Sequence, residues 1–142
     1  MSFPWLDMRI DEERDRRRRE RETLERLPRA LEELHKALTE CVQVYARAFG
    51  PKSADIQLRD GNIHVTVREE LDGEWRARAQ VAVAPLAALP GFHVERGGEV
   101  FQIEIGMLTG EKLFYKCENQ YLTPEQVTRR ILDRALFPRL AE

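Results

Sequence analysis

Ile56 to Val67 reads IQLRDGNIHVTV. Apolar residues fall at every second position on both sides of Asp60-Gly61, a dipeptide suited to the two-residue hairpin turn in which both residues are left-handed. A turn of that length pairs Leu58 with Ile63 and Ile56 with Val65, so all four share one face. The period is two and the connection antiparallel, which makes this part of the chain a sheet built from hairpins.

The pattern continues downstream. For REELDGEWRA, from Arg68 to Ala77, a two-residue turn sets Val67 opposite Arg78 and mixes the faces. A three-residue Leu71-Asp72-Gly73 loop instead pairs Val67 with Ala77, Val65 with Ala79 and Ile63 with Val81, and register follows the buried face. Alternation fades through Val81–Ala84, and Pro85 to Gly91 reads as a connection. A second meander follows. Gly97-Gly98 pairs Val94 with Phe101 and Phe92 with Ile103, and a Leu108-Thr109-Gly110 loop pairs Ile105 with Leu113, Ile103 with Tyr115 and Phe101 with Cys117. LTPEQV then opens a helix. Thr123 is the N-cap, Pro124 the first helical residue and Gln126 the return partner of a capping box, with Leu122 and Val127 at the staple positions.

Upstream the period is helical. Leu24, Leu27, Leu31, Leu34, Leu38, Cys41, Tyr45 and Ala48 recur in steps of three and four, with Val42 and Phe49 widening the stripe. Gly50-Pro51 ends that helix, and Pro28 inside it predicts a kink or break near 24–28. The expected fold is α+β: a long N-terminal helix, a six-stranded antiparallel sheet in two three-stranded meanders, and a short C-terminal helix. A curved sheet wrapping the long helix suits this order. The division is 1–22 as an apolar tip with a charged helical extension, and 23–142 as one α+β domain.

That extension contains DEERDRRRRERE, Asp11 to Glu22, with six arginines and six acids and so no net charge. Glu12–Arg16, Glu13–Arg17, Asp15–Arg19, Arg16–Glu20 and Arg18–Glu22 are opposite charges four residues apart, each worth roughly 0.2–0.5 kcal/mol in a helix. An arm that binds polyanions needs uncompensated positive charge. This segment reads as an ion-paired helix in water. Ahead of it stand Phe3, Trp5, Leu6, Met8 and Ile10, which a twelve-residue polar rod separates from any core.

The 142 residues carry a net charge of −2. Cys41 and Cys117 have no CxxC spacing, which points to two reduced thiols and a cytoplasmic protein. The start MSFPWLDMRI has no basic region or long apolar run of a secretory signal, and no stretch suits a membrane span. No P-loop, dinucleotide fingerprint, GxSxG or HExxH motif occurs. His35, His64 and His93 have no ligand or nucleophile at a diagnostic spacing. No cofactor or metal is expected.

Three functions follow. The first is a non-enzymatic cytoplasmic interaction protein (adaptor, chaperone or complex subunit) that docks on a protein partner or a second copy, a homodimer for instance. Phe3, Trp5, Leu6, Met8, Ile10, Leu24, Leu27 and Leu31 would carry the contact. The second is nucleic-acid or acidic-partner binding on the outer face of the first meander, through Arg59, His64, Arg68, Arg76 and Arg78. There Arg68 is expected opposite Arg76, with no acid on the face. Trp75 is expected inward and Phe114 as the one outward aromatic, which limits base stacking. The third is a small-molecule or enzymatic site in a cavity between sheet and helix, lined by Tyr45, Trp75, Phe101, Ile103 and Tyr115.

Overall fold

The computed structural model describes residues 1–86, 90–107 and 113–140. Helix α1 spans Pro4–Phe49, and Pro4 stands at its start, where a missing N–H costs nothing. Seven strands follow: β1 (Ala54–Arg59), β2 (Asn62–Leu71), β3 (Glu74–Pro85), β4 (Gly91–Arg96), β5 (Glu99–Met107), β6 (Leu113–Cys117) and β7 (Gln120–Leu122). Helix α2 (Pro124–Leu136) closes the chain. The strands form one antiparallel sheet in sequence order, so the two expected meanders are one. β3 and β4 join them, with Val83 opposite Val94 and Pro85 opposite Phe92.

The expected six strands are seven. β7 is short and pairs with β6 across Glu118-Asn119, whose φ values of 50° and 66° make a tight turn from two residues without glycine. That turn carries none of the usual Asn-Gly or Asp-Gly signal, which is why the sequence hides it.

Register was expected correctly at two hairpins and wrongly at two. Leu58 pairs with Ile63 and Ile56 with Val65; Val94 pairs with Phe101 and Phe92 with Ile103. Between β2 and β3, however, Asp72-Gly73 alone makes the turn, with φ of 53° and 80° and Leu71 opposite Glu74. A bulge between Val67 and Arg68 then leaves Arg78 without a partner residue and restores the faces, so Val67 meets Ala79, Val65 meets Val81 and Ile63 meets Val83. A three-residue loop was not needed because the extra residue sits in the strand. Between β5 and β6, Ile105 pairs with Tyr115 and Met107 with Leu113, two residues away from the expected register. The Leu108-Thr109-Gly110 loop itself lies outside the described residues.

The apolar face of the sheet is buried beneath the helices. Ile63, Val65, Val67, Val81, Val83, Phe92, Val94 and Ile103 are 0–1% exposed. α1 packs on β1, β5 and α2, while α2 packs on β3, β4 and β7. On α1 the buried line is Ala30, Leu34, Leu38 and Val42, with Thr23 buried ahead of it. Steps of four drift by about 40° each across the surface of a straight helix, so the buried line turns away from the expected alternation of three and four. Leu27, Leu31, Cys41 and Tyr45 therefore flank the core, and Leu24 and Phe49 lie exposed. The helix runs unbroken through Pro28, so of the expected kink or break the break does not occur. Proline removes one hydrogen bond and crowds the carbonyl of Leu24, but the apolar contacts of the following turns hold the helix on the sheet. At α2 the capping box forms as expected: Thr123 Oγ1 accepts from the Gln126 amide at 3.2 Å, and Gln126 Oε1 accepts from the Thr123 amide at 2.9 Å.

Candidate functional site

Two surfaces carry the residues singled out from sequence, and a third cluster was not anticipated. The first surface is the N-terminal part of α1. Among residues 1–22 only Glu13 and Glu20 are even half-buried. Phe3 is 46% exposed, Trp5 65%, Leu6 40%, Met8 64% and Ile10 41%. The turns behind them are laced by ion pairs. Arg16 binds Glu13 at 2.8 Å and also reaches Glu20, Arg17 binds Glu13 at 3.1 Å, and Arg18 binds Asp15 at 3.1 Å. Two of these are the expected pairs four residues apart; steps of three replace the others. Hydrogen bonds from Arg16 and then Arg17 lower the Glu13 carboxyl to a pKa of about 2. Of the other residues expected at this surface, Leu24 is exposed, while Leu27 and Leu31 are half-buried against the core.

The second surface is an open groove of about 660 Å³ on the sheet face away from the helices, walled by β1 to β4. It collects Arg59, His64, Arg68 and Arg78 together with Gln57, Thr66 and Gln80. Cross-strand pairing places His64 beside Gln57 and Thr66 beside Asp55. Asp55 corrects the expectation of a face without acids: it forms an ion pair with Arg68, both side chains partly exposed. Glu95 adds a second acid and hydrogen-bonds His93 at 3.3 Å. The bulge also separates the arginines. Arg68 stands opposite Ala77, not Arg76, and Arg76 pairs with Glu74 at 3.2 Å. Arg78 donates to the carbonyl of Leu136 at the end of α2, 3.2 Å away. The expected cluster thus keeps Arg59, His64, Arg68 and Arg78 and loses Arg76, and Asp55 and Glu95 offset part of its charge. The outer face also carries Tyr121 of β7, edge-on to Phe114 at 5.4 Å, so Phe114 is not the lone outward aromatic.

The five residues expected around an internal cavity do not converge on one. Ile103, Phe101 and Tyr115 are packed into the core at 0%, 8% and 9% exposure. Tyr45 sits at the end of α1 between Phe49 and Phe137, and the Trp75 ring lies against Gly50. Burial, with the Glu33 charge second, pushes the Tyr115 hydroxyl pKa up; burial likewise raises the Cys117 thiol, so neither is primed to lose a proton. Among the described residues no group of three or more His, Cys, Asp or Glu side chains could hold a metal ion. Among them, too, no helix is long and apolar enough to cross a membrane.

The unanticipated cluster centres on Arg96, 7% exposed and on the inner face opposite Val81. Its guanidinium donates to the Arg130 and Ile131 carbonyls of α2 and to Glu99. Arg96 and Arg130 both hold their guanidinium groups over the Phe101 ring, each 5.3 Å from its centre. The Nε–H groups of Arg96 and Arg130 are buried without a hydrogen-bond partner. Arg134, then Arg96, hold the Glu99 carboxyl below its ordinary pKa. The cluster clamps α2 to the sheet. Its sequence signal was the alternation Phe92, Val94, Arg96, which carries the arginine inward.

Comparison with protein-family models, with curated proteins and with solved structures gave no match.

Proposed function

We propose that the protein is a non-enzymatic, cytoplasmic interaction protein, an adaptor, chaperone or complex subunit, that docks through the N-terminal half of α1. One observation carries this reading: five large apolar side chains, Phe3, Trp5, Leu6, Met8 and Ile10, stand 40–65% exposed on a helix that continues ahead of the packed stripe. A helix of 46 residues is about 69 Å long, and its buried residues begin at Thr23. Apolar groups concentrated at an exposed end are a common mark of an association surface. The test uses the full chain and a full-length variant with all five residues changed to glutamine. The wild type should associate, with itself or with a protein captured from lysate, and the variant should not. A monomeric wild type whose captured proteins are the same as the variant's overturns the reading.

The outer groove supports a second reading, binding of an acidic partner or nucleic acid. Arg59 is the observation in its favour, since it is exposed and no ion pair to it is found among the described residues. Asp55 and Glu95 weigh against a polyanion there. Binding that falls steeply with added salt and is lost in Arg59→Gln supports it; a flat titration at low salt removes it.

A further inference from the structure

The exposed face of α1 has a charge order that bears on what covers it. Leu31, Leu27 and Leu24 continue towards the N-terminus in unbroken steps of three and four to Glu20, Arg17 and Glu13. The same steps then reach Ile10, Leu6 and Phe3. The heptad phase therefore survives the charged turns, and three ionic residues lie between two apolar segments of one seam. The domain half-buries Leu27 and leaves the apolar residues of the seam ahead of it exposed. Its own buried line, Ala30 to Val42, advances in steps of four and rotates away from it. Leu6, Ile10 and Leu24 are left 40–41% exposed.

The order of charges discriminates sharply between ways of covering that seam with another helix of the same sequence. A parallel pair stacks Glu13 on Glu13, Arg17 on Arg17 and Glu20 on Glu20, three like-charge layers. Its flanking positions add Arg9 beside Arg14 and Arg16 beside Arg21. An antiparallel pair centred on Asp15 reverses this. Arg17 meets the second copy's Glu13 and Glu13 its Arg17, so the central ionic layers are matched twice. Leu6 then faces the second copy's Leu24, Phe3 faces its Leu27, and Asp7 flanks its Arg21. The unfavourable contacts are fewer: Arg14 and Arg16 each approach their own copies at the two-fold axis, and Ile10 lies against Glu20. Arg16 already holds Glu20 by an ion pair, and the aliphatic stems of both can cover the isoleucine.

We propose that residues 3 to 27 of α1 pair antiparallel with the same segment of a second copy of this chain, around a double Glu13–Arg17 ion pair. The overlap is about 36 Å long at the rise of an α-helix. The inference rests on the docking reading above and names its partner. Apolar contacts between each tip and Leu24 and Leu27 of the other copy hold the pair together, and the ionic layers fix direction and register.

Full-length chains test this in two ways. Sedimentation equilibrium should find a self-associating wild type, with Glu13→Arg and Arg17→Glu each weakening association by about tenfold or more. An equimolar mixture of the two variants should associate as the wild type does, because only across two chains do their charges become complementary again; repair within one helix cannot produce that rescue. Direction is read from spin labels on Ser2→Cys chains with Cys41 replaced by alanine. An antiparallel pair puts the labels about 40 Å apart, and a parallel pair about 10 Å apart. A short distance, or no rescue in the mixture, overturns the proposal. A monomer that still captures another protein through its tip overturns the self-pairing and leaves the docking reading standing. A dimer insensitive both to these charges and to loss of the tip overturns both.

Discussion

The two halves of α1 are one helix held by two kinds of physics. From Pro4 to Glu22 the backbone is helical with almost nothing buried, and side-chain ion pairs three and four residues apart supply the local support. From Thr23 to Phe49 the same helix is held by a stripe on the sheet, and it tolerates Pro28 within it. Isolated surface ion pairs contribute little each, whereas a buried leucine contributes several times more. The packed half therefore determines whether the domain folds, and the projecting half is free to be selected for what it touches.

The sharpest way to break this contrast is a pair of truncations. Leu38→Ala, at a fully buried position, should lower unfolding free energy in urea by about 2–5 kcal/mol. Leu6→Ala should leave it within about 0.5 kcal/mol in dilute, unassociated protein. Comparable losses at both positions would mean that the tip packs on its own domain. Arg96 sharpens the account of the packed side. Arg96→Met should cost about 1–3 kcal/mol, since the α2 carbonyls lose a charged donor while Glu99 keeps Arg134. Unchanged stability would show that the clamp is incidental. A smaller effect, about 1 kcal/mol, is expected for Thr123→Ala, which removes the acceptor for the Gln126 amide.

The smallest effect belongs to the projecting half and depends on pH. Glu13 has its carboxyl pKa lowered from 4.5 to about 2 by Arg16 and Arg17. A depressed carboxylate contributes to helix stability above its ordinary pKa, and that contribution is lost as pH falls through its folded value. Carbon chemical shifts of residues 11–20 should thus keep their helical values at neutral pH and begin to lose them between about 4.5 and about 2. Shifts in Ala30–Val42 should hold over that window. Loss in the packed half first would reverse the assignment of forces.

Local chemistry made some elements legible and hid others. Asp60-Gly61 and Gly97-Gly98 announced their turns, and the alternation around them fixed the register. Thr123, Pro124 and Gln126 announced α2 with equal clarity. The β2–β3 register was missed because a bulge at Val67/Arg68 has no residue signature of its own. The bulge moves Arg68 away from Arg76 and takes Arg76 out of the expected anion site. Asp55, the second residue of β1, precedes the alternation that begins at Ile56, so its place opposite Thr66 and beside Arg68 has no sequence signal. β7 was missed because Glu118-Asn119 is an uncommon pair for its turn. On α1, the alternation of three and four identified the helix but misplaced its buried line, which advances in steps of four and so turns around the helix. The exposed tip needed no tertiary information: twelve polar residues separate it from the nearest apolar stripe.

The most direct measurement of the central claim is amide hydrogen exchange on the full-length chain in dilute and in concentrated solution. If the N-terminal half of α1 pairs with a second copy, amides of residues 6–22 exchange rapidly when dilute and become protected as concentration rises, while those of Leu34, Leu38 and Val42 stay protected throughout. Exchange in residues 6–22 that is the same at both concentrations would contradict the self-pairing.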